Sequence, residues 1–174
     1  LPQNLVDLGK AVLKHGADAG FAVDPDADRL ALVDEKGIPL GEEYTLVVAA
    51  DGYLEESNKS EKFVVNLSTS IALEKLTKLK GCSVERSAVG EINVVNKMNE
   101  IGSNLGGEGN GGVILRECHL GRDSLVAATM VLNRMSQDDQ TLGQIFKSLP
   151  QYEIVKDKIK LEGIDSDRLI KAVS

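Results

Sequence analysis

The sequence predicts an α/β protein, in which short strands alternate with helices along the chain. Residues 63–67, Phe-Val-Val-Asn-Leu, form a mostly apolar run of the length of a buried strand. Directly after them, Ile71, Leu73, Leu76 and Leu79 follow at a spacing typical of one face of a helix. The same change from strand-like to helix-like spacing occurs before and after this segment. Such alternation is typical of α/β folds.

The first predicted element is a helix over residues 5–13, where apolar positions recur at helical spacing. Asn4 is its expected N-cap, and Gly16 is expected to end it. Further on, residues 35–37 predict a turn because they contain a glycine between two apolar runs. Residues 45–50 are all small or apolar apart from one threonine and predict a buried helix.

The second half of the chain repeats this alternation. Ser68, Thr69 and Ser70 lie between a strand and a helix, where hydroxyl groups commonly cap exposed N–H groups; we favour this interpretation over a nucleophile. Asp123 is the expected cap of the helix that follows it. The remaining predicted elements are a short strand within residues 81–91 that runs into a loop, helices beginning near residues 92, 124 and 141, a strand over 113–115, an extended segment over 153–161 and a helix over 165–173.

Residues 24–29, here called the acidic loop, lie between two apolar runs that predict short strands, residues 19–23 and 30–34. Asp24, Asp26 and Asp28 alternate in this loop, and Arg29 follows them. Carboxylates this close repel one another unless a positive group lies among them. A hard divalent cation such as Mg²⁺ takes oxygen ligands of this kind. The guanidinium of Arg29 suits a phosphate or carboxylate beside the metal.

The acidic loop has two alternative interpretations besides a metal site that also binds an anion. An acidic surface turn is common in proteins and remains an alternative. An EF-hand would use Asp24, Asp26, Asp28 and, twelfth in the loop, Glu35. That motif needs glycine at its sixth position, which is Arg29 here, and it needs flanking helices rather than strands.

Residues 106–112, here called the glycine loop, contain five glycines around Glu108 and Asn110. Glycine lets a backbone approach a ligand closely. A carboxylate and a carboxamide are suitable partners for vicinal sugar hydroxyls, which both donate and accept hydrogen bonds. The glycine loop therefore predicts a site for a sugar.

Composition restricts the possible partners. The net charge of −7 argues against a nucleic-acid-binding surface, and it means that an anionic substrate must be held by local positive groups. No segment is typical of a signal peptide or a membrane span. Cys82 and Cys118 show no metal-ligand spacing, so we expect reduced thiols in a cytoplasmic protein.

Taken together, the two loops resemble those of the α-D-phosphohexomutases. The acidic loop resembles their metal loop, commonly Asp-Gly-Asp-Gly-Asp-Arg. The glycine loop is similar to their sugar-binding loop, commonly Gly-Glu-x-Ser-Gly-His, although Gly112 stands at the place of the histidine. Gly90 and Glu91 occupy the place of a further family loop that faces the substrate, although a turn before a helix, with Glu91 favoured by the helix N-terminus, is an equally open interpretation. Arg122 is a candidate contact for an anion. His119 is near enough in sequence to stand in for the missing histidine, but a structural role is favoured.

The resemblance implies mixed sheets flanked by helices, and a fragment of a larger enzyme. Residues 1–55 would be the second half of a metal-binding domain, 56–150 a sugar-binding domain, and 151–174 a truncated passage to a phosphate-binding domain. The implied reaction moves a phosphoryl group between two positions of a hexose phosphate, through a phosphoserine and a bisphosphate. Mg²⁺ would be held by Asp24, Asp26 and Asp28, with Arg29 as a catalytic residue.

The substrate-binding residues implied by the resemblance are Gly90, Glu91, Glu108, Asn110 and Arg122. The family's phosphoserine motif, commonly Thr-Ala-Ser-His-Asn, does not occur in these 174 residues. We therefore expect the chain to need the remaining domains of the parent enzyme as partners and to be inactive alone. One alternative is a non-catalytic module that binds metal or sugar phosphate. Another is a metal-dependent phosphatase with Asp24 as nucleophile.

Overall fold

The computed structural model describes residues 2–57, 60–152 and 154. Within these residues, strands and helices alternate as the sequence predicts. The elements are α1 Val6–His15, β1 Gly20–Val23, β2 Leu30–Val33, α2 Tyr44–Glu56, β3 Lys62–Asn66, α3 Ala72–Leu79, β4 Ser83–Ser87, α4 Glu91–Ile101, β5 Leu105–Glu108, β6 Gly112–Leu115, α5 Ser124–Gln137 and α6 Leu142–Ser148. The predicted extended segment over 153–161, apart from Ile154, and the predicted helix over 165–173 lie outside the described residues.

A four-stranded mixed sheet in the order β4-β3-β5-β6 forms the centre of the second half. Strand β3 pairs in parallel with β4 and β5, while β5 and β6 form an antiparallel hairpin. Side chains of β3 alternate between the two faces. Val64 packs against helix α4, whereas Phe63 and Val65 face the core formed with α2, α3 and α5. Both faces are thus covered, and the predicted α/β class with mixed sheets and flanking helices is confirmed.

Strands β1 and β2 form a second, two-stranded antiparallel sheet, with the acidic loop at its turn. This hairpin is fixed to the second half of the chain by backbone groups. The Leu30 amide donates to the Gly111 carbonyl at 3.0 Å, and the Thr45 hydroxyl donates to the Leu30 carbonyl at 2.7 Å. The Ser124 hydroxyl donates to the Ala27 carbonyl, also at 2.7 Å. The acidic loop therefore has a fixed position relative to the glycine loop.

Helix α2 is the most enclosed helix of the described chain, with ten of its thirteen residues buried. It packs lengthwise on α5, and at this contact Arg134 Nε lies 2.5 Å from Asp51 Oδ2. Both side chains are buried, and such a pair is costly to break because the remaining charge is left without a partner. No helix in the described ranges combines the length and hydropathy needed to span a bilayer.

Two details of the sequence interpretation are corrected by the helix boundaries. Asn4 does not cap α1, because residues Pro2–Leu5 form a short 3-10 helix and the cap position is Leu5, without a side-chain hydrogen bond. The polar sequence of residues 55–62 predicts a connector between domains, but Glu55 and Glu56 still belong to the last turn of α2.

The predicted starts of α5 and α6 are confirmed and show specific caps. The Asp123 carboxylate accepts hydrogen bonds from the amides of Leu125 and Val126. Thr141 caps α6 in a reciprocal pair with Gln144. Glu35, which follows β2, also accepts from the Thr141 hydroxyl and the Gly143 amide, at 3.0 and 2.9 Å. The hairpin thus supplies part of the cap of the last helix.

Substituting Gly111 by Ala should destabilise the chain more than the same change at Gly81. Both glycines have positive φ, +93° and +71°, so each alanine costs about 1 kcal/mol in backbone strain. A Cβ at Gly81 meets nothing within 4 Å, whereas one at Gly111 would lie 2.5 Å from the Leu30 carbonyl oxygen. Urea unfolding of both variants measures the difference, and equal losses would contradict the docked hairpin.

Replacing Asp123 by Ala should cost about 1 kcal/mol of stability at neutral pH through loss of the α5 cap, while Asn should retain most of it. The hydrogen bond from His119 and those from the Val126 and Leu125 amides lower the pKa of Asp123 below 3.8, despite burial. The charged cap therefore stabilises fully above that pH, and its contribution falls as pH drops through the lowered pKa. Urea unfolding as a function of pH tests this; a constant difference between wild type and Asp123→Ala down to the lowest pH would contradict it.

Candidate functional site

The candidate site lies where the carboxyl ends of the parallel strands meet the acidic loop. Asn66 ends β3, Glu108 ends β5, and Gly90 follows β4 by three residues. Parallel strands present their carboxyl ends at one edge of a sheet, which is where ligands of α/β proteins commonly bind. The docked hairpin brings the acidic loop to this same edge, through the contact of Leu30 with Gly111.

The acidic loop turns so that its three carboxylates converge. Ala27 has a φ of 57°, a left-handed conformation, and its amide donates to the Asp24 carbonyl at 3.0 Å. As a result, one oxygen from each of Asp24, Asp26 and Asp28 lies within 4.8 Å of the others. Asp26 is exposed, while the other two are half-buried. Three convergent carboxylate oxygens are a donor set that fits a hard divalent cation.

Arg29 lies against the same carboxylates. Its Nε lies 2.5 Å from Asp24 Oδ2 and 3.5 Å from Asp28 Oδ1. Burial acts to raise the pKa of Asp24, but hydrogen bonds from the Arg29 side chain and amide outweigh it and hold that pKa below its usual value. The Arg29 side chain is 44% exposed. An anion at this loop can therefore reach it.

Asp28 differs from Asp24 in the direction of its pKa shift. Burial raises the pKa of its carboxyl, Arg122 opposes the rise, and Asp26 and Asp24 add to it. Its Oδ1 is buried and has no hydrogen-bond partner among the described residues. A buried carboxylate oxygen without a donor is costly, and a cation shared with Asp24 and Asp26 would satisfy it. The residues present thus fit a divalent metal.

Glu108 is buried, with 3% of its surface exposed, and its carboxylate already has partners in the chain. Oε1 accepts from Asn66 Nδ2 at 2.5 Å and from the Gly90 amide at 3.2 Å. Oε2 is bound by Arg122 Nη1 at 2.5 Å and lies 3.5 Å from Asn110 Nδ2. A sugar hydroxyl at Glu108 would have to displace or share one of these donors.

Arg122 joins the separate parts of the site. Its Nη2 forms an ion pair with Asp28, its Nη1 binds Glu108, and its amide donates to Glu91 Oε1 at 2.7 Å. The structure therefore brings the residues expected to bind metal, to bind substrate or to be catalytic into one contiguous cluster. They are Asp24, Asp26, Asp28, Arg29, Gly90, Glu91, Glu108, Asn110 and Arg122.

Two residues of this cluster were missed by sequence reasoning. Asn66 holds Glu108, and Thr69 donates to Asn66 Oδ1 while accepting from the Gly109 amide at 3.0 Å. Their position directly after a buried parallel strand was the available signal. Of the hydroxyls expected to cap α3, Ser70 does accept from the Ala72 amide at 3.1 Å, although the cap position itself, Ile71, has no side-chain bond.

The His119 side chain forms its hydrogen bond to Asp123, which belongs to neither loop. Its Nε2 lies 3.0 Å from Asp123 Oδ2, next to the cap of α5, and its side chain is half exposed. The favoured structural role agrees with this geometry. The space over Gly112 is instead taken by Arg122, since a Cβ at Gly112 would overlap the Arg122 side chain.

A cleft of about 740 Å³ opens beside the site. Asp24, Arg29 and Asn110 line it together with apolar residues of the hairpin and with Tyr44. Its volume lies in the range typical of sites for small molecules. The cleft thus gives access to both loops at once.

Comparison with known proteins identifies both halves of the chain. Residues 41–152 match the family model of phosphoglucomutase/phosphomannomutase, alpha/beta/alpha domain III, and residues 1–37 match that of domain II. The family models thus divide the chain between residues 37 and 41, ahead of the division at residue 55 expected from the sequence. Helix α2 falls on the domain III side, in agreement with its packing on α5.

Relatives of known name cover most of the chain. A phosphoglucosamine mutase of Caulobacter vibrioides is 36% identical over 148 residues, which are 83% of this chain and 33% of the relative. A phosphoglucomutase/phosphomannomutase of Thermococcus kodakarensis is 33% identical over 161 residues, or 92% of this chain and 35% of the relative. The chain spans about a third of the length of these relatives.

Solved structures agree in fold. A phosphoglucomutase/phosphomannomutase family protein from Burkholderia thailandensis superimposes with a TM-score of 0.77 at 25% identity, over 87% of this chain and 33% of that one. The phosphoglucomutase parafusin from Paramecium gives 0.64 at 23% identity, over 84% and 27%. The chain therefore belongs to the phosphoglucomutase/phosphomannomutase family of phosphohexomutases, and it spans matches to domains II and III of that family.

Proposed function

We propose that this chain supplies the metal loop and the sugar loop of an enzyme that moves a phosphoryl group between two positions of one hexose phosphate. The single observation that carries the proposal is the ion pair network of Arg122, which joins Asp28 of the acidic loop to Glu108 of the glycine loop. Other residues of the two loops, Asp24, Arg29 and Asn110, line one cleft beside this network. A site for a phosphorylated sugar needs cationic groups and a metal for the phosphoryl group, next to hydrogen-bonding groups for the sugar. This cluster offers both.

In this proposal Mg²⁺ is held by Asp24, Asp26 and Asp28. Two observations support the assignment: the oxygens converge within 4.8 Å, and the buried Oδ1 of Asp28 has no hydrogen bond, with Arg29 Nε 3.5 Å away. When bound, Mg²⁺ acts as a Lewis acid on phosphoryl oxygens. Arg29 would neutralise charge on the same phosphoryl group, because its side chain lies on the loop and is reachable from the cleft. The phosphoryl donor, a phosphoserine in the family, is proposed to come from outside these residues.

The hexose would be held at the glycine loop. Asn110 lines the cleft and is the member of this loop best placed to meet sugar hydroxyls, with its Oδ1 also accepting from the Gly112 amide at 3.2 Å. Glu108 already binds Arg122, Asn110 and the Gly90 amide. We therefore assign it a contact with the sugar only if a sugar hydroxyl replaces one of these partners. Glu91 fixes the backbone of Arg122. Gly90 contributes through its backbone.

The substrate class is a hexose phosphate, and the names of the relatives favour glucosamine phosphate, with glucose and mannose phosphates next. We place the reaction in the cytoplasm, since neither Cys82 nor Cys118 is in a disulfide bond. A module that binds metal or sugar phosphate without catalysis remains the second candidate, because it needs only the two loops described here.

A phosphatase that uses Asp24 as nucleophile is not proposed. Asp24 Oδ1 accepts from the amides of Asp28 and Arg29, and Oδ2 is bound by Arg29 Nε at 2.5 Å. Both oxygens of this carboxylate are thus engaged, which lowers its nucleophilicity.

Mg²⁺ binding should depend on Asp26. Calorimetric titration of the chain should show binding that becomes at least about tenfold weaker in Asp26→Asn, because one of three charged ligands is lost. Asp7→Asn is the matched control, since Asp7 is exposed on α1 and makes the same change in net charge. Equal binding by all three proteins would contradict the metal loop and reduce it to an acidic turn.

The chain alone should not interconvert hexose phosphates. Incubation with Mg²⁺, glucosamine 6-phosphate and a glucose bisphosphate primer, followed by ³¹P NMR, should show no isomerised product, because the 174 residues lack the family's phosphoserine motif. Titration of the chain with glucosamine 6-phosphate, followed through its backbone amide NMR signals, should nevertheless show shifts at Asn110 and Gly111. Turnover by the chain alone would contradict this assignment of parts, and unshifted signals would contradict the sugar site.

A further inference from the structure

Arg122 occupies an unusual electrostatic position for a residue beside a metal site. Its side chain is only 17% exposed and lies among carboxylates from Asp28, Glu108 and Glu91. The absence of a side chain at Gly112 makes room for it, since a Cβ there would overlap Arg122 Cδ. The guanidinium is therefore a fixed part of the site, held between the glycine loop and the acidic loop.

The contact between Arg122 and Asp28 involves a carboxylate that the metal also needs. Nη2 pairs with Asp28 Oδ2, while Asp28 is one of the three convergent ligands. A carboxylate in direct contact with a guanidinium has part of its charge neutralised and binds a second cation less strongly. In addition, a guanidinium and a divalent cation on the same carboxylate repel each other over a few ångströms, where Coulomb terms are large.

We propose that Arg122 is a built-in counter-ion that competes with the divalent cation for Asp28 and thereby sets the metal affinity of the acidic loop. The inference rests on the proposed metal site. It assigns to Arg122 a role that differs from contact with substrate: Arg122 balances the charge of the loop and of Glu108 when they are brought together. In this view Arg122 is a positioning residue for Glu108 and a competitor at Asp28.

A merely structural role for Arg122 makes the opposite prediction. If Arg122 only holds the acidic loop in a shape suited to the metal, its removal disorganises the ligands and weakens metal binding. If it competes, its removal leaves Asp28 and Glu108 without their counter-ion and strengthens metal binding. The sign of the change therefore separates the two roles.

The test is a titration with Mn²⁺, which prefers the same oxygen ligands as Mg²⁺ and can be followed by the EPR signal of the free ion. Arg122→Gln should bind Mn²⁺ at least about tenfold more tightly than the wild type, by the loss of a nearby positive charge. Arg122→Lys, which keeps the charge, should stay within about threefold of the wild type. Lys97→Gln makes the same change in net charge at a lysine of α4 that pairs with Glu100 rather than with a residue of the site, and it should leave the affinity unchanged.

The outcomes distinguish this inference from the proposed function. If Mn²⁺ binds the wild type and is lost in Asp26→Asn, but Arg122→Gln binds equally or more weakly, the metal site stands and the role of Arg122 is wrong. If neither the wild type nor Arg122→Gln binds Mn²⁺, both proposals are wrong. A gain in affinity that is equal in Arg122→Gln and Lys97→Gln would reflect net charge alone and would also overturn the inference.

A second measurement uses the wild type and does not depend on the folding of any variant. During a Mg²⁺ titration by NMR, the guanidinium signals of Arg122 should shift with the same midpoint as metal binding, because Asp28, which pairs with Nη2, is drawn to the cation. The Nε–H signal of Arg116, which donates to the Ser103 carbonyl at 2.7 Å, should not shift. An unmoved Arg122 signal at saturating Mg²⁺ would overturn the competition.

Discussion

The guanidinium of Arg122 lies among carboxylates that come from three segments far apart in the sequence. Asp28 precedes it by ninety-four residues, and Glu91 and Glu108 come from the ends of other elements. In a chain with a net charge of −7, these acids could not approach one another without a cation between them. The Arg122 guanidinium is that cation, and it acts together with the backbone hydrogen bonds that hold the acidic loop next to the glycine loop.

The backbone makes that approach possible. The parallel strands β3 and β5 end at the same edge, and the tight turn of the glycine loop lets the Gly111 carbonyl accept from the Leu30 amide. Gly109 and Gly112 leave no side chain where Glu43 and Arg122 lie. The glycines therefore serve chiefly to let protein groups pack closely, and this close packing in turn places the acids and arginines of the site.

Much of this could be predicted from the sequence, because it depends on local patterns. The acidic loop between two strands, the glycine loop and the Asp123 cap each have a short signature, and each is found where expected. The partners of Glu108 could not be predicted, since they depend on which strands are parallel neighbours. A carboxylate that looks free in the sequence is in fact buried and bound by Asn66 and Arg122.

The reach of Glu35 into the cap of α6 bears on how such chains can recombine. Glu35 lies in the part that matches domain II, while Thr141 and Gly143 lie in the part that matches domain III. A chimera joined between residues 37 and 41 would pair a hairpin from one relative with a helix cap and a glycine loop from another. An exchange of segments between relatives is therefore expected to preserve the fold best when the hairpin and the domain III sheet come from the same relative. The contacts of Glu35, rather than the limits of the family models, then define the segment that must be exchanged as one unit.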